Sequence, residues 1–165
     1  MPMADLRIRP VTPADAPILE QIREAAFAPV FASFRALLGE EIYRRAQAHE
    51  DAAHPALLTS LLRDDSGWEV HVAELDHQPV GFLALQLNTD RLVGEIGLNA
   101  VHPDRANHGI GTALYEFALE RMRAAGMRVA TVATGGDPSH APARRAYAKA
   151  GFDVVFPNVW MCRVL

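Results

Sequence analysis

Three strand-like segments follow one another with connections that are too short to hold a crossover helix. Residues 68–75 and 80–87 are joined by the four residues Asp-His-Gln-Pro, and residues 94–101 continue the strand pattern soon afterwards. Parallel neighbouring strands need a crossover of about a dozen residues or more, whereas antiparallel strands can be joined by a short turn. The spacing therefore predicts antiparallel pairing through the middle of the chain.

Segments with helical or strand-like periodicity surround this central region. Thr12, Pro13 and Asp15 form a helix-start signal, in which a capping residue precedes a proline and an acidic residue in the first turn. The predicted strands are 6–11 and 127–134, the predicted helices are 12–27, 35–48, 55–63, 109–125 and 141–151, and residues 152–156 and 159–165 are predicted to form a terminal hairpin. This order of elements predicts an α/β (α+β) fold with a mixed, largely antiparallel central sheet flanked by helices.

The length and composition limit the classes of protein to which the chain can belong. Its 165 residues, of which 50% are hydrophobic, suffice for one substantial core, so we expect a single domain over residues 1–165. The formal net charge of -4 provides no basic field, which argues against nucleic acid and membranes as partners. No apolar run approaches the roughly 20 residues of a membrane span, no signal peptide is evident, and Cys162 is the single cysteine, so we expect a cytoplasmic protein.

Two glycines stand at the point where the strand 94–101 gives way to the helix 109–125. The segment 102–114 reads His-Pro-Asp-Arg-Ala-Asn-His-Gly-Ile-Gly-Thr-Ala-Leu. A helix N-terminus exposes amide groups without intrahelical partners and carries the positive end of the peptide dipoles, so it attracts anions. Gly109 and Gly111 would let a phosphate group approach these amides directly, although a turn that uses glycine for its backbone conformation is the alternative interpretation.

The same segment argues against two common classes of nucleotide-binding site. A dinucleotide fingerprint has a third small residue three positions after the second glycine, and Leu114 stands there instead. A P-loop ends in a Gly-Lys-Ser/Thr sequence, whereas the single lysine of the chain, Lys149, is far from the glycines. The sequence therefore disfavours dinucleotides and nucleoside triphosphates as ligands.

Segments from almost the whole chain resemble the GNAT superfamily of acetyl-CoA-dependent N-acetyltransferases. Residues 6–22 resemble the first strand and helix of that family, residues 73–85 its strand-turn-strand unit, and residues 101–114 its pyrophosphate-binding segment. Residues 140–152 resemble a later helix of the family with its Tyr-x-Lys-x-Gly-Phe ending. The resemblance implies the family fold, whose sheet is splayed at the acetyl-CoA site, and acetyl-CoA as the cosubstrate.

The resemblance also implies which residues bind acetyl-CoA. Asn99, Ala100 and Val101 would present main-chain groups to the pantetheine arm, and a β-bulge within them would free an N–H for the oxyanion of the transition state. His140 stands where many family members have an asparagine that binds the pantetheine, and Ala106 replaces a customary glutamine or arginine. Main-chain amides of the loop would hold the pyrophosphate, which assigns Asn107, His108, Gly109, Ile110, Gly111 and Thr112 to the cofactor site.

The implied reaction is direct transfer of the acetyl group to a primary amine of a small molecule, an amino acid, or a peptide or protein. Tyr147 matches the family's tyrosine near the sulfur of CoA and is the candidate general acid, because a phenol keeps its proton at neutral pH. Packing in the core is the alternative role for Tyr147. Glu95 is the candidate general base, with Glu69 and His71 as further candidates, although each also fits an ordinary surface or hairpin position.

Several other residues have both a functional and a structural interpretation. Cys162 is expected to be a small buried hydrophobe, and the terminal strand with Trp160 could pair across a homodimer interface or belong to the core. The histidines beside the glycines lack partner ligands, so no metal is expected. Arg144 and Arg145 could bind the 3′-phosphate of CoA or face solvent. Three aromatic residues could line the acceptor pocket or pack in the core: Phe27, Phe31 and Phe34. The alternative to an enzyme is a non-catalytic acyl-CoA-binding module of the same fold.

Overall fold

The structure, a computed structural model, describes residues 6–165, so residues 1–5 of the expected domain lie outside the described residues. The strands are β1 (Leu6–Pro10), β2 (Glu69–Leu75), β3 (Gln78–Asn88), β4 (Val93–Val101) and β5 (Val129–Val132). They form one sheet in the order β1-β2-β3-β4-β5. Strands β1 to β4 pair antiparallel and β5 pairs parallel with β4, so the predicted mixed, largely antiparallel sheet is confirmed.

Helices cover both faces of the sheet. They are α1 (Ala16–Leu38), α2 (Glu40–Ile42), α3 (Ala48–Leu61), α4 (Ile110–Ala124) and α5 (Ala141–Lys149), with a π-helical turn at Tyr43–Gln47 between α2 and α3. The expected helix over 35–48 is wrong at its start, because α1 continues to Leu38 and the chain then turns at Gly39, where φ is 75°. Leu37, in the last turn of α1, is 64% exposed. Within residues 6–165 no helix is long and apolar enough to cross a membrane.

Two apolar cores lie on opposite faces of the sheet. Helices α1 and α3 bury apolar side chains against one face, and α4 and α5 bury theirs against the other. The first core contains Leu19, Ile22, Leu58, Leu61, Val70, Val72, Phe82, Ala84 and Ala100. The second contains Leu83, Leu85, Ile96, Ile110, Leu114, Tyr115, Ala118, Met122 and Tyr147. Because successive residues of a strand point to opposite faces, Phe82 and Leu83 belong to different cores.

A buried ion-pair network holds the start of α1 against the sheet. Asp15 accepts two hydrogen bonds of 2.8 Å from Arg9 and one of 2.7 Å from the Thr12 amide, and Arg9 also binds Glu74 on β2. The hydrogen bonds from Arg9 lower the pKa of Asp15 well below its usual range, although burial opposes this effect. Thr12 thus precedes a 3₁₀ turn that leads into α1, in agreement with the helix-start signal.

Strand β5 is paired with only part of β4. The paired register runs from Val93 opposite Val129 to Ile96 opposite Val132. Over residues 97–101, the same edge of β4 has no partner strand in the described part of the chain. Main-chain groups of β4 therefore face the gap in which the two strands separate.

The predicted terminal hairpin is wrong. Residues 152–165 have no regular secondary structure, and most of their apolar side chains are exposed, with Phe156 95% and Trp160 60% accessible. A two-residue turn between the predicted strands would put Pro157 at its first central position, which requires a positive φ that the proline ring cannot adopt. The expectation that Cys162 is buried fails with the hairpin, because its side chain is exposed.

Candidate active site

A cavity of about 760 Å³ opens where β4 and β5 separate. Helix α1 forms one wall, β4 and the glycine loop (residues 106–111) form the second, and the start of α5 forms the third. The α1 wall contains Ala26, Phe27, Pro29, Val30 and Ser33. The second wall, with the residues that flank the loop, contains Asn99, Ala100, Val101, Arg105, Ala106, Asn107, Gly109, Ile110, Gly111, Thr112 and Tyr115. The third wall contains Pro138, Ser139, His140, Pro142, Ala143 and Ala146. Of the predicted cofactor residues, His108 is the one outside this lining, and its exposed ring has Nδ1 2.8 Å from the Ala106 carbonyl oxygen.

The glycine loop takes its shape from residues in the left-handed region. Asn107 has a φ of 64° and Gly109 has a φ of 78°. The first intrahelical hydrogen bond of α4 runs from the Ala113 amide to the Gly109 carbonyl oxygen at 3.0 Å. The amides of residues 110–112 therefore precede the hydrogen-bonded part of the helix and stand at the positive end of its dipole.

Gly111 is a glycine for which the protein itself has no structural need. Its φ lies outside the left-handed region, and a Cβ built on it would meet nothing nearer than Val101 Cγ2 at 4.0 Å. That distance is an ordinary van der Waals contact, so a side chain would fit against the rest of the fold. The missing side chain instead leaves space in the cavity that Gly111 lines.

The bulge in β4 lies just before Asn99, not within residues 99–101 as predicted. Leu83 of β3 is opposite Asn99, and Leu85 is opposite Ile96, which leaves two residues of β4 opposite one residue of β3. The position of the bulge depends on how β3 and β4 are aligned with each other, and the sequence of one strand does not determine that register. The extra residue reverses the alternation of side chains, so Asn99 points to the face that α4 and α5 cover.

The neighbours of Asn99 confirm this orientation. A Cβ on Gly97 would lie 2.4 Å from Trp68 Cζ3, which places that position on the face covered by α1 and α3. Leu98 and Ala100 pack in the core on the same face. Asn99 therefore points away from its neighbours, toward α5.

The side chain of Asn99 joins two buried tyrosines. Its Nδ2 donates to the Gly97 carbonyl oxygen at 2.9 Å and to Tyr147 Oη at 3.0 Å, and its Oδ1 accepts from Tyr115 Oη at 3.0 Å. Because a carbonyl oxygen only accepts hydrogen bonds, Gly97 fixes the amide nitrogen of Asn99 on this side. The proton of Tyr115 is therefore donated to Asn99, and the Tyr147 hydroxyl accepts from Asn99 and also interacts with the Tyr115 hydroxyl.

The two tyrosines differ in their relation to the cavity. Tyr115 lines it and Tyr147 does not, although both rings are buried in the same apolar core. Their ring centroids are 4.7 Å apart. Burial raises the pKa of Tyr115 well above its ordinary value, and the neighbouring Tyr147 adds to the effect. Asn99, which lines the cavity, is the residue that links the Tyr147 hydroxyl to the site.

His140 lines the cavity and is held in one orientation. Its Nδ1 lies 2.6 Å from Asp137 Oδ1, and its ring stacks on Phe34 of α1 with 5.8 Å between centroids. Ser139 also donates to Asp137, and although burial raises the pKa of Asp137, the hydrogen bonds from Ser139 and His140 bring it below its usual value. With Nδ1 directed at a carboxylate, Nε2 is the ring nitrogen that a ligand in the cavity can contact.

Two further residues fix the loop that carries Asp137. Arg144 Nη1 donates to the carbonyl oxygens of Gly135 at 2.6 Å and of Asp137 at 2.8 Å. A Cβ on Gly135 would lie 2.4 Å from Asp137 Oδ1 and 2.5 Å from His140 Nδ1, so this pair occupies the space that glycine leaves. Arg144 thus has a structural contact that neither of its sequence-based interpretations included, and Arg145 is exposed outside the cavity lining.

None of the three candidate bases lines the cavity. Glu95 is exposed on β4, and Glu69 is paired with Arg121 of α4 at 2.6 and 2.9 Å. His71 is buried with its ring centroid 4.7 Å from that of Phe117, its Nδ1 has no partner in the described part of the chain, and burial lowers its pKa. Among residues 6–165, no group of three or more His, Cys, Asp or Glu side chains could hold a metal ion.

Tyr115 and Asp137 were missed by the analysis of the sequence. Tyr115 lies on the apolar face of α4, and a tyrosine hydroxyl on a buried face needs a hydrogen-bond partner, which was the available signal. Asp137 precedes His140 by three residues, a spacing that brings two side chains together within one helical turn. Both signals are local, but neither identifies the cavity that the residues adjoin.

Comparison with known proteins gives relatives for most of the chain. The sequence profile described as "Acetyltransferase (GNAT) family" matches residues 31–152. The mycothiol acetyltransferase of Sanguibacter keddieii is 36% identical over 97 residues, which cover 56% of this chain and 30% of that protein. The chain thus spans about 30% of the length of the curated relative that it matches.

Solved structures share the fold at low sequence identity. The PaiA N-acetyltransferase of Thermoplasma acidophilum, in complex with coenzyme A, has a TM-score of 0.72 at 20% identity over 93% of each chain. The ribosomal-protein-S18-alanine N-acetyltransferase of Escherichia coli has a TM-score of 0.67 at 16% identity, over 92% of this chain and 80% of the other. At these identities the likeness shows a common fold.

Proposed function

This chain belongs to the GNAT acetyltransferase family, and we propose that it moves the acetyl group of acetyl-CoA directly to a primary amine. The observation that carries the proposal is the contact of Asn99 with Tyr147, which holds the Tyr147 hydroxyl behind the part of the cavity wall that Asn99 forms. A hydroxyl held in this way can protonate a departing thiolate, a task that binding of acetyl-CoA alone does not require.

The glycine loop fits the pyrophosphate of acetyl-CoA. The amides of residues 110–112 supply hydrogen-bond donors, and Gly111 leaves the space for a phosphate to reach them. Arg105, which also lines the cavity, adds positive charge. The unpaired edge of β4 offers main-chain groups to the amides of the pantetheine arm, and His140 offers Nε2 from the opposite wall. These contacts support the cofactor site that the sequence predicts.

The proposed transfer assigns one task to each part of the site. The neutral amine nitrogen attacks the thioester carbonyl carbon, a C–N bond forms, and a main-chain N–H of residues 97–101 stabilises the oxyanion. The C–S bond then breaks, and the thiolate of CoA takes its proton from Tyr147 Oη. The proton that the amine gives up, carried through water, returns Tyr147 to its starting state.

The proton that leaves the amine needs an acceptor. Glu95 remains our proposed general base, reached through a chain of water molecules, because its exposed carboxylate lies outside the cavity lining. An acceptor amine whose pKa is lowered by desolvation in the cavity would transfer its proton to water without such a base.

We further propose that the enzyme acts as a homodimer in the cytoplasm. The exposed apolar side chains of residues 152–165 support the dimer, because a monomer leaves them in contact with water. The cytoplasmic location, and an acceptor that is neither nucleic acid nor membrane, rest on the composition and the net charge of -4.

A non-catalytic acyl-CoA-binding module is the alternative function, favoured by a cavity lining that contains no carboxylate from residues 6–165. Calorimetry with acetyl-CoA and a free-thiol assay with a panel of amines separate the two functions. An enzyme binds acetyl-CoA and releases thiol at a rate that depends on the amine. Binding without amine-dependent release across the panel supports the module, and absence of binding contradicts both.

A further inference from the structure

We propose that the acceptor is a monoamine with an apolar substituent, and that amines with several positive charges are poor substrates. This inference rests on the proposed acetyl transfer and concerns the part of the cavity that acetyl-CoA leaves for its partner. The glycine loop, the edge of β4 and His140 of the α5 wall are assigned to acetyl-CoA, so the wall with no assigned cofactor contact is the one that α1 forms.

The α1 wall is apolar. Ala26, Phe27, Pro29 and Val30 line the cavity, and Ser33 is the one polar side chain that α1 contributes. Positions three and four apart lie on one side of a helix, so these residues form a continuous stripe. Such a stripe binds an alkyl or aryl group by removing both apolar surfaces from water.

Aromatic rings extend this stripe along α1. The ring of His54 on α3 lies 4.3 Å from that of Phe27 and 5.3 Å from that of Phe31, between centroids. Phe34 lies 6.4 Å from Phe31 and stacks on His140, where the α1 wall meets the α5 wall. The rings hold Phe27 in a packed aromatic cluster on this side of the cavity.

No carboxylate lines the cavity within residues 6–165. The charged side chain in this lining is Arg105, which is positive. An ammonium group moved from water into such a site loses its hydration without gaining an anionic partner. A polyamine or an aminoglycoside has several such groups, whereas a monoamine has one, which must be neutral to react.

Two carboxylates of α1 and α3 are engaged elsewhere. Glu20 pairs with the buried Arg23 at 2.6 Å. Asp51, which is 8% exposed, accepts hydrogen bonds from Tyr43 at 2.8 Å and from Gln47 at 2.9 Å. Neither carboxylate can bind a cationic substrate without leaving its own partner unpaired.

The same apolar wall favours the reactive form of the bound amine. Removal of an ammonium group from water disfavours its charged form and lowers its pKa, so the neutral nucleophile forms more readily. This effect accounts for a site in which an amine can react although no carboxylate from the described part of the chain lines the cavity.

Steady-state kinetics of the full chain with acetyl-CoA and matched amines test the proposal. The probes are phenethylamine and isoamylamine as apolar monoamines, and spermidine and kanamycin as polycations. We expect kcat/KM for the apolar monoamines to exceed that for the polycations by about 10-fold or more, because the pocket leaves additional ammonium groups unpaired. Equal or higher kcat/KM for the polycations would overturn the proposal.

A carboxylate placed on the α1 wall should change this preference. We expect Val30→Glu to raise kcat/KM for spermidine relative to phenethylamine by about 10-fold or more, because it pairs an ammonium group inside the cavity. Val30→Gln controls for polarity without charge, and Leu37→Glu adds the same charge to an exposed position of α1 outside the lining. An equal change in Leu37→Glu would overturn the proposal, because it would assign the effect to general electrostatic attraction.

Thermal melts and calorimetry with acetyl-CoA distinguish a variant that does not fold from an enzyme that folds and binds acetyl-CoA but does not turn over an amine. Should Val30→Glu fail to fold, Ser33→Asp places a carboxylate on the same wall. Retained acetyl-CoA binding without turnover of any amine would overturn the proposed transfer, and the acceptor assignment with it. Turnover that favours the polycations would leave the transfer in place and overturn the acceptor assignment alone.

Discussion

Asn99 donates a hydrogen bond of 3.0 Å to the hydroxyl of Tyr147, 48 positions further along the chain. The contact exists because the bulge in β4 turns Asn99 to the face that α5 covers. In a strand of regular alternation, Asn99 would point toward α1 and would not reach Tyr147. A local irregularity of the backbone thus determines the position of the proposed general acid.

Replacement of Tyr147 by phenylalanine should lower kcat by about 10²–10⁴, because the proton that the leaving thiolate takes is lost. Affinity for acetyl-CoA and the melting temperature should change little, because the ring and its packing remain. Steady-state kinetics with an identified acceptor, calorimetry and a thermal melt measure the three quantities.

Tyr115→Phe is the matched control, since it removes the hydroxyl that binds Asn99 from the other side. Its proton is already donated to Asn99, so we expect a smaller loss of kcat than in Tyr147→Phe. A larger loss in Tyr115→Phe would assign the general acid to Tyr115. Near-normal kcat in Tyr147→Phe, with chemistry shown to limit the rate, would leave Tyr147 as a packing residue.

Gly111→Val should weaken acetyl-CoA binding by about 10-fold or more, which corresponds to about 1.4 kcal/mol. The fold accommodates a Cβ at this position, so the loss would arise from the side that faces the ligand. Gly136→Val is the control, because a Cβ there meets nothing within 4 Å and the residue lies outside the cavity lining. Arg105→Ala should weaken binding less than Gly111→Val. Calorimetry that gives equal affinity for Gly111→Val and the parent protein would contradict the assignment.

Features that depend on local geometry are predicted best from this sequence. The antiparallel pairing of residues 68–101 follows from the lengths of the connections, and the start of α1 follows from its capping residues. The bulge is not predictable in the same way, because it requires the register of β3 with β4 and the space that Gly97 leaves for Trp68. The terminal hairpin fails at Pro157, whose effect on the turn outweighs the strand-like composition on either side.

The candidate site likewise has features that one short segment determines and features that require several segments. The glycine loop is predictable because its glycines and the helix start lie within one short segment. The network of Asn99, Tyr115 and Tyr147 combines side chains of β4, α4 and α5, so no single segment contains it. The apolar character of the α1 wall likewise appears only when α1 is placed opposite β4.

Trp160→Ser combined with Met161→Ser should shift the protein from dimer to monomer, if the exposed apolar segment 152–165 forms the dimer interface. The two substitutions remove apolar surface that is accessible in one chain, so the fold of the monomer should be retained. Light scattering during gel filtration at micromolar concentration measures the mass. A parent protein that is monomeric under these conditions would contradict the homodimer.

Asp15→Asn should lower the free energy of unfolding by about 2–4 kcal/mol, because it removes the carboxylate that accepts two hydrogen bonds from the partly buried Arg9 and leaves Glu74 as the remaining charged partner. The exposed pair of Arg63 with Asp65 provides the control, and Asp65→Asn should cost less than about 1 kcal/mol. Chemical denaturation near neutral pH measures both values.

The contribution of Asp15 to the free energy of unfolding also depends on pH. Arg9 lowers the pKa of Asp15 in the folded state, whereas the unfolded chain has the ordinary value of about 3.9. The stabilisation is therefore fully present above about pH 4 and is lost as the pH falls below that value. The parent protein and Asp15→Asn should thus approach each other in stability in acid, and a constant difference would contradict this account.

His71→Phe should make the melting temperature less sensitive to acid. Burial lowers the pKa of His71 in the folded state, whereas a histidine of the unfolded chain binds a proton below about pH 6.5. Unfolding therefore takes up a proton in mild acid, and the stability falls as the pH drops through this range. Phenylalanine keeps the ring contact with Phe117 and removes both the titrating group and the unpaired Nδ1.

Thermal melts between about pH 7.5 and about pH 5.5 measure this effect, and the fall in melting temperature should be smaller for His71→Phe than for the parent protein. Part of the fall should remain, because burial also lowers the pKa of His54. His49→Gln removes an exposed imidazole and is the matched control for the loss of a histidine side chain. The same pH dependence in His71→Phe and in the parent protein would show that His71 does not bind its proton on unfolding, and would transfer the acid sensitivity to other groups.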